Sequence, residues 1–154
     1  MTKEKKNIAK VKILKIKNHH RHGVDGIEIK ITAMSNNKEK SEKNSVTEYD
    51  KNNVFAKILR GELPSKKIFE NDDLLCFYDI NPATKVHDLI IPKGEYIDYN
   101  DFIKKAPQDM IVRFFKTIPE IANKLGVKEY RLVSNCGKSA GQIVFHFHVH
   151  LMAN

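Results

Sequence analysis

The chain has 154 residues, of which 41% are hydrophobic and 30% are charged, enough for one hydrophobic core and too few for two ordinary domains. No apolar run approaches the roughly 20 residues that cross a bilayer, and the N-terminus lacks the apolar segment and cleavage site of a secretory signal. The two cysteines, Cys76 and Cys136, form neither a C-x-x-C pair nor a disulfide framework. We therefore expect a cytoplasmic protein that does not enter a membrane.

The positive charge is concentrated in the first third of the chain. Residues 1–48 contain 12 Lys and Arg against 6 Asp and Glu, a net charge of +6, whereas residues 49–154 contain 15 against 13, a net charge of +2. The larger part is therefore a nearly balanced domain, and its charge gives no reason to expect nucleic acid as a partner.

The first third of the sequence has weak signals for structure. Residues 35–48 are rich in Ser, Asn, Lys and Glu, a composition typical of disordered linkers. Before them, residues 8–17 and 26–31 alternate apolar and polar side chains, which indicates two short strands around a basic loop. A lone two-stranded hairpin is barely stable in water.

These signals predict two regions: a basic extension over residues 1–48, largely disordered or weakly structured, and a folded domain over residues 49–154. Met34 opens a polar leader, so two interpretations of residues 1–33 stay open. They are upstream sequence that is not normally translated, or a genuine and mobile extension.

The folded part begins with a short helix. Asp50 has a side chain suited to cap its N-terminus, and Gly61 is suited to end it. The apolar positions of this helix are Val54, Phe55, Ile58 and Leu59. A further short turn of helix is expected at residues 98–102.

One long helix dominates the second half of the chain. Pro107 opens it, and apolar residues then recur with a period near 3.6 as far as Leu125. Gly126 is expected to terminate this helix. Pro119 falls inside the pattern and is expected to kink the helix.

Five segments have the composition of strands. They are residues 66–70, 74–79, 85–91, 129–135 and 143–152. Asn71 and Asp72 join the first two, a pair typical of hairpin turns. The order predicts an α+β fold: a five-stranded, mostly antiparallel sheet, one long helix and a short N-terminal helix.

The sequence FHFHVHL at residues 145–151 is the most informative stretch. Because side chains alternate along a strand, His146, His148 and His150 are expected on one face. The opposite face would carry three residues that pack on the long helix: Phe147, Val149 and Leu151.

Three interpretations of these histidines compete. One is a solvated polar face. Another is a metal site, although the outer pair would lie about 13 Å apart at about 3.3 Å per residue, so one ion fits all three poorly. The third is nucleophilic catalysis at phosphorus, which suits an imidazole that is neutral and nucleophilic near pH 7.

Together with other motifs, these residues resemble the histidine-triad (HIT) family, specifically its nucleoside phosphoramidate hydrolases. The resemblance runs from Val54 to Leu151, about two-thirds of the chain. Its motifs are VFAKILRGELPSKKIFENDD at 54–73, FYDINPATKVHDLIIPK at 77–93, YRLVSN at 130–135 and GQIVFHFHVHL at 141–151.

The resemblance implies a catalytic role for four histidines. The central residue of the triad, His148, matches the nucleophile that attacks the α-phosphorus and forms a nucleotidyl-histidine. His150 matches the residue near the phosphate and the leaving group, and His146 the one that orients the nucleophile. His87 matches an upstream histidine that bonds to the triad; taken alone, it also fits a surface histidine at a strand start.

The resemblance also implies a binding site for a purine nucleotide resembling AMP. Asp79 matches the carboxylate that accepts both ribose hydroxyls, although it equally fits a turn residue before Asn81-Pro82. Four residues match the slot for the base, with ordinary core packing as the alternative: Phe55, Ile58, Phe77 and Ile80. Tyr78, next to Asp79, is also counted among the nucleotide-binding residues.

The phosphate side is matched by a second group. Asn135 would donate from its amide, the backbone at Gly141 and Gln142 would approach the phosphate closely, and the Val144 N–H would donate to it. Ile143 departs from the family, which commonly has Ser, Thr or Glu there, so help for the leaving group is in doubt.

Other implications concern metal, assembly and turnover. Residues 54–57 lack the C-x-x-C of zinc-bearing members, so we expect no structural zinc and no cofactor. Family members form homodimers with a continuous ten-stranded sheet. The preferred function is phosphoramidate hydrolysis; the alternatives are dinucleoside polyphosphate hydrolysis, a nucleotide-binding module with little turnover, and a metal-binding protein.

Overall fold

The computed structural model describes the backbone of residues 9–13 and 29–33 and all of residues 45–154. The chain divides into two units, Met1–Asn44 and Ser45–Asn154. In the first unit, strands β1 (Ala9–Ile13) and β2 (Ile29–Ala33) pair antiparallel, which confirms the predicted pair of strands. The basic loop between them and the linker up to residue 44 lie outside the described residues. The boundary between residues 48 and 49 stays a prediction.

The second unit contains a five-stranded antiparallel sheet. Its strands are β3 (Lys67–Glu70), β4 (Leu74–Tyr78), β5 (Val86–Pro92), β6 (Arg131–Val133) and β7 (Val149–Ala153). Their order across the sheet is β3-β4-β5-β7-β6, so β5 and β7 are neighbours near its centre. The predicted α+β fold with five antiparallel strands is confirmed.

Two short helices and one long helix accompany the sheet: α1 (Val54–Leu59), α2 (Tyr99–Lys105) and α3 (Gln108–Lys124). The expected cap of α1 was wrong: Asn53, not Asp50, accepts the Ala56 N–H at 2.9 Å. Asp50 lies too early and instead accepts the Asn52 N–H in the preceding turn. None of the helices in the described part of the chain is long and apolar enough to cross a membrane.

Helix α3 continues through Pro119 as one element and is followed by Gly126, as predicted. Gly126 has a φ of +71°, and its N–H donates to the Asn123 carbonyl. A left-handed residue closes the last turn of a helix, and glycine adopts that conformation without the penalty of a Cβ.

The core divides between the two faces of the sheet. Alternate residues of β4 and β5 face α3, including Leu74, Cys76 and Ile90. The intervening residues form a smaller cluster around Phe55 of α1, including Phe77. Phe147, Val149 and Leu151 pack on the α3 side, which confirms that part of the prediction. The rings of His146 and His148 meet Phe55 of α1 edge to face, so these histidines lie on the α1 side.

The predicted C-terminal strands were too long. The structure gives β6 only three residues, and β7 begins at Val149 rather than at residue 143. The backbone before β7 uses partners outside the sheet ladder: the Phe147 N–H donates to the Tyr96 carbonyl at 2.7 Å. His146 and His148 therefore lie in a loop before the strand, and strand alternation does not position them.

Candidate active site

One ring nitrogen of His148 is fixed by a hydrogen bond, and the other has no hydrogen-bond partner among residues 45–154. Its Nδ1 lies 2.7 Å from the His146 carbonyl oxygen. A carbonyl oxygen can only accept, so Nδ1 carries the proton and the other ring nitrogen, Nε2, keeps its lone pair. The ring is buried and meets Phe55 edge to face at 5.0 Å between centroids. This arrangement presents a nucleophilic nitrogen on a fixed ring.

His146 lies beneath this ring and is completely buried. Its Nε2 donates to the Pro92 carbonyl at 2.9 Å, so its Nδ1 carries no proton. The Tyr49 hydroxyl donates to that Nδ1 across 2.6 Å. The His146 ring thus makes two long-range hydrogen bonds, and the His146 backbone carbonyl makes the contact with His148.

Burial keeps the triad histidines neutral at physiological pH. Loss of hydration lowers the pKa of His146 to about 4 and also lowers the pKa of His148. Burial, followed by the charges of His148 and His87, lowers the pKa of His150 to about 4. A neutral His148 retains the Nε2 lone pair that nucleophilic attack requires.

His87 and His150 come from neighbouring strands and form a second pair. His150 lies opposite Leu89 of β5, so His87 is its diagonal neighbour on the same face. His87 Nε2 and His150 Nδ1 are 2.9 Å apart. The Ala83 N–H donates to His87 Nδ1, so His87 donates from Nε2 and His150 carries its own proton on Nε2.

Asp79 lies directly after β4 and faces this pair. Its Oδ2 is 3.4 Å from His87 Nε2, and its Oδ1 accepts the Asn81 N–H at 2.8 Å. The turn interpretation is therefore correct for one oxygen. The other oxygen lies beside the histidines, so Asp79 is close to the triad although it is far from it in sequence.

Asp79, His87 and His150 also place three ligand-type atoms within 4.8 Å of one another. The hydrogen bonds disfavour a metal ion there. His87 Nε2 must hold a proton while Nδ1 accepts from Ala83, and a metal on Nε2 would displace that proton and leave an imidazolate or break the Ala83 contact. The group fits a hydrogen-bonded relay better than a metal centre.

The residues expected to hold the base fall into two sets. Phe55 and Phe77 are buried with their rings 5.6 Å apart, and Ile58 and Val144 pack against the same cluster. The structure brings these four together beside His148. Ile80, by contrast, is 91% exposed.

Tyr78 lies apart from that cluster. It follows Phe77 in β4 and is exposed. Because adjacent strand residues face opposite ways, its side chain lies on the other face of the sheet from Phe77.

The loop before the triad is built around Gln142. Its side chain is buried, accepts the Gly137 N–H and donates to the carbonyls of Ile97 and Val144. All its polar atoms are therefore used within the protein. Gln142 shapes the loop through its side chain, and only its backbone remains to meet a ligand.

Gly141 and Asn135 lie together at the edge of this loop. Gly141 has a φ of +94°, and a Cβ there would lie 3.7 Å from Asn135 Nδ2, an ordinary contact. Its positive φ, rather than crowding, therefore calls for glycine. Within residues 45–154, neither the Asn135 amide nor the Val144 N–H donates a hydrogen bond. Ile143, the residue directly before Val144, is 87% exposed.

Two residues near the site escaped the sequence prediction. Tyr49 precedes every motif, and no periodicity marks it as a partner of a histidine 97 residues later. Asp88 follows His87 and is fully buried, and neither carboxyl oxygen has a hydrogen-bond partner in the described part of the chain. An acidic residue within the apolar run VHDLIIP was the available signal for Asp88.

The chain belongs to the HIT family, because the sequence model of the HIT domain matches residues 60–154. A HIT-like protein of Rickettsia prowazekii is 50% identical over 106 residues, 68% of this chain and 88% of that protein. A solved HIT family hydrolase from Clostridium thermocellum is 39% identical, with a TM-score of 0.60 over 68% of this chain and 92% of that one.

A more distant relative has a name that describes an activity. Adenylylsulfatase HINT3 of Arabidopsis thaliana is 37% identical over 103 residues, which are 64% of this chain and 50% of that protein. These similarities agree with the fold: a five-stranded antiparallel sheet in which the neighbouring strands β5 and β7 bring His87 and His150 together.

Proposed function

We propose that the protein hydrolyses purine nucleoside phosphoramidates or related nucleoside monophosphate derivatives through a nucleotidyl-histidine on His148. The observation that carries this proposal is the contact between His148 Nδ1 and the His146 carbonyl. It leaves Nε2 unprotonated on a buried ring of lowered pKa. A neutral, oriented imidazole is suited to attack phosphorus.

The first step forms a bond from His148 Nε2 to the α-phosphorus and breaks the bond from phosphorus to the leaving nitrogen. That nitrogen accepts a hydrogen bond from His150 Nε2, the tautomer that the bond from His87 implies, and it leaves as the amine with a proton taken from solvent. The rings of His148 and His150 are 5.0 Å apart, so a phosphoryl group on His148 Nε2 would lie within reach of the His150 N–H.

Water completes the cycle. It attacks phosphorus on the face opposite His148 and releases its proton to solvent, and the phosphorus–Nε2 bond breaks with its electron pair returning to His148. The products are the nucleoside monophosphate and the amine. His87 keeps His150 in the tautomer that donates from Nε2, a positioning role that its bond from Ala83 supports.

The remaining site residues have proposed binding roles. Asp79 Oδ2 would accept from the ribose, and the apolar cluster of Phe55, Phe77 and Ile58 would contact the base. The free N–H of Val144 and the Asn135 amide would donate to the phosphate. The exposed positions Ile80 and Tyr78 need a shift or a second chain to contact the same ligand. The name of the Arabidopsis relative supports an adenylyl group.

We also propose a homodimer and a cytoplasmic location. β6 is an edge strand of the sheet, and Leu132 within it is 47% exposed. Val112 of α3 is exposed to the same extent. An edge strand and an apolar helix face are suited to join two copies through a twofold axis. Light scattering during gel filtration would measure the mass of the particle.

The test of the reaction is steady-state hydrolysis of a fluorogenic adenosine phosphoramidate by the wild type and by His148→Ala. We expect the variant to lose activity by a factor on the order of 10³ or more, because the nucleophile is removed. Mass spectrometry of rapidly denatured wild type should also detect one bound nucleotidyl group. Full activity in a folded His148→Ala protein would refute the nucleophile.

A nucleotide-binding module with little turnover is the second candidate, and Ile143 is the observation that favours it. Its aliphatic side chain cannot donate a hydrogen bond to a leaving group. If AMP binds in calorimetry while wild type leaves the phosphoramidate intact, this second function is supported. Cleavage of a diadenosine polyphosphate under the same conditions would instead indicate the dinucleotide substrate class.

A further inference from the structure

We propose that Tyr49 is a positioning residue, which holds His146 and through it fixes the His148 ring with Nε2 free. The inference rests on the proposed function for its catalytic consequence, but its structural part stands on the hydrogen bonds alone. Tyr49 lies ahead of the matched HIT span, which begins at residue 60. A residue outside that span would thus control the nucleophile.

The direction of each hydrogen bond follows from its acceptor. The Pro92 carbonyl can only accept, so His146 Nε2 is the donor and His146 Nδ1 carries a lone pair. The hydroxyl of Tyr49 therefore donates to Nδ1, at 2.6 Å. Burial raises the pKa of Tyr49, so the hydroxyl keeps its proton at physiological pH.

The ring of His146 has no access to water, so water cannot replace this donor. Without the Tyr49 hydroxyl, Nδ1 would be a buried acceptor with no partner. The ring would then gain by rotating, or by taking the other tautomer and losing the Pro92 contact. Either change moves the backbone of a loop that lies outside the sheet ladder.

The backbone of His146 is what meets the nucleophile. Its carbonyl oxygen accepts from His148 Nδ1 at 2.7 Å. A shift of that oxygen weakens the contact that selects the His148 tautomer, and a His148 ring with its proton on Nε2 has no lone pair to attack phosphorus. Tyr49 therefore acts on the reaction through His146 and then His148, without touching a substrate.

The experiment compares Tyr49→Phe with the wild type, with Tyr130→Phe as the matched control. Tyr130 is a partly buried tyrosine packed on the α3 side of the core. Nitrogen-15 NMR of the histidine rings reads the tautomers of His146 and His148 directly. Steady-state kinetics with the adenosine phosphoramidate reads kcat and KM separately.

We expect the Tyr49→Phe spectrum to show a changed His146 Nδ1 resonance and a mixture of His148 tautomers. We also expect kcat to fall about tenfold, the size of effect that a small misplacement of a reacting group produces, with KM changed less than about twofold. The Tyr130→Phe protein should match the wild type in both readouts. Loss of kcat in both variants would instead indicate general softening of the core and overturn the proposal.

The NMR readout separates this proposal from the proposed function. If wild type shows no turnover, the hydrolase proposal fails, while unchanged His146 and His148 resonances in folded Tyr49→Phe would overturn the positioning role. If Tyr49→Phe does not fold, the wild-type spectrum decides. A His146 ring protonated at Nδ1 overturns the proposal, and a hydrogen-bonded, unprotonated Nδ1 supports it.

Discussion

The four site histidines form two pairs that are held in place by different means. His87 and His150 are carried by adjacent strands, whose backbone ladder brings the two rings within hydrogen-bonding distance. His146 and His148 are carried by a loop, where the His146 ring accepts a hydrogen bond from Tyr49 and donates one to the Pro92 carbonyl. We call these the strand-borne pair and the loop-borne pair.

The difference shows that the histidines of one sequence motif are held by two kinds of support, a strand and a loop. A strand offers a register fixed by many backbone bonds, so a single side-chain change rarely moves it. A loop depends on a few specific contacts, and each of them matters more. His148, the proposed nucleophile, belongs to the loop-borne pair, and functional residues are often carried by loops on a rigid scaffold.

The largest effect is expected when the support of the loop-borne pair is removed. Gln142→Met retains the length of the side chain but removes three hydrogen bonds, to Gly137, Ile97 and Val144. We expect the free energy of unfolding to fall by about 2–3 kcal/mol, since buried partners are left unsatisfied. Urea unfolding followed by circular dichroism measures it.

A matched substitution on the surface gives the reference for that measurement. Lys138→Met makes a similar side-chain change at an exposed position of the same loop. Surface substitutions usually change stability by less than about 0.5 kcal/mol. If Gln142→Met were as stable as Lys138→Met, the loop would owe its conformation to something other than the Gln142 hydrogen bonds.

The second prediction concerns the strand-borne pair. His87→Asn offers its Oδ1 to the Ala83 N–H but has no donor that reaches His150 in place of Nε2. We expect kcat to fall about tenfold, because His150 loses the bond that fixes its tautomer. The free energy of unfolding should change by about 1 kcal/mol or less, because the β5–β7 ladder is untouched.

Kinetics and urea unfolding of the same preparation would test this contrast. A His87→Asn protein that is destabilised as much as Gln142→Met would contradict it, since the strand-borne pair would then depend on side-chain bonds as the loop-borne pair does. An unchanged kcat would show that the relay from His87 to His150 has no part in the reaction.

The same contrast explains how far the sequence could predict the site. Alternation correctly placed Val149 and Leu151 on α3, because those residues lie in a real strand. It also gave the correct side for His146, whose ring meets Phe55, but it could not indicate what holds that ring, because Tyr49 and the Pro92 carbonyl leave no periodic signal. The cap of α1 is Asn53 rather than Asp50, because Asp50 lies too early and accepts from the preceding turn.

The smallest predicted effect concerns Asp88, which lies next to His87 on the opposite face of β5. Asp88 is fully buried on the α3 side of β5, and no residue that the structure describes forms a hydrogen bond with its carboxyl oxygens. Burial raises its pKa in the folded protein above the ordinary 3.8, and His87 opposes this rise. The carboxyl is therefore held in its neutral form to a higher pH in the folded chain than in the unfolded one.

The buried histidines and Asp88 give stability opposite dependences on pH. The pKa of His146 falls from 6.5 to about 4 on folding, so its contribution is complete above pH 6.5 and is lost as the pH falls towards 4. The raised pKa of Asp88 gives a contribution that is complete below pH 3.8 and is lost as the pH rises through the folded value. Between these limits the two slopes partly cancel in the wild type.

Asp88→Asn removes one slope and leaves the other. We expect its free energy of unfolding, relative to wild type, to increase as the pH rises from 4 to 7, reaching a gain of about 1 kcal/mol. Urea unfolding at half-unit pH steps measures this difference, and the pH trend is independent of any constant cost of the buried amide. A difference that stays flat over this range would mean that Asp88 ionises alike in both states. The pH dependence of the wild type would then owe nothing to Asp88 and would arise from other groups, the buried histidines among them.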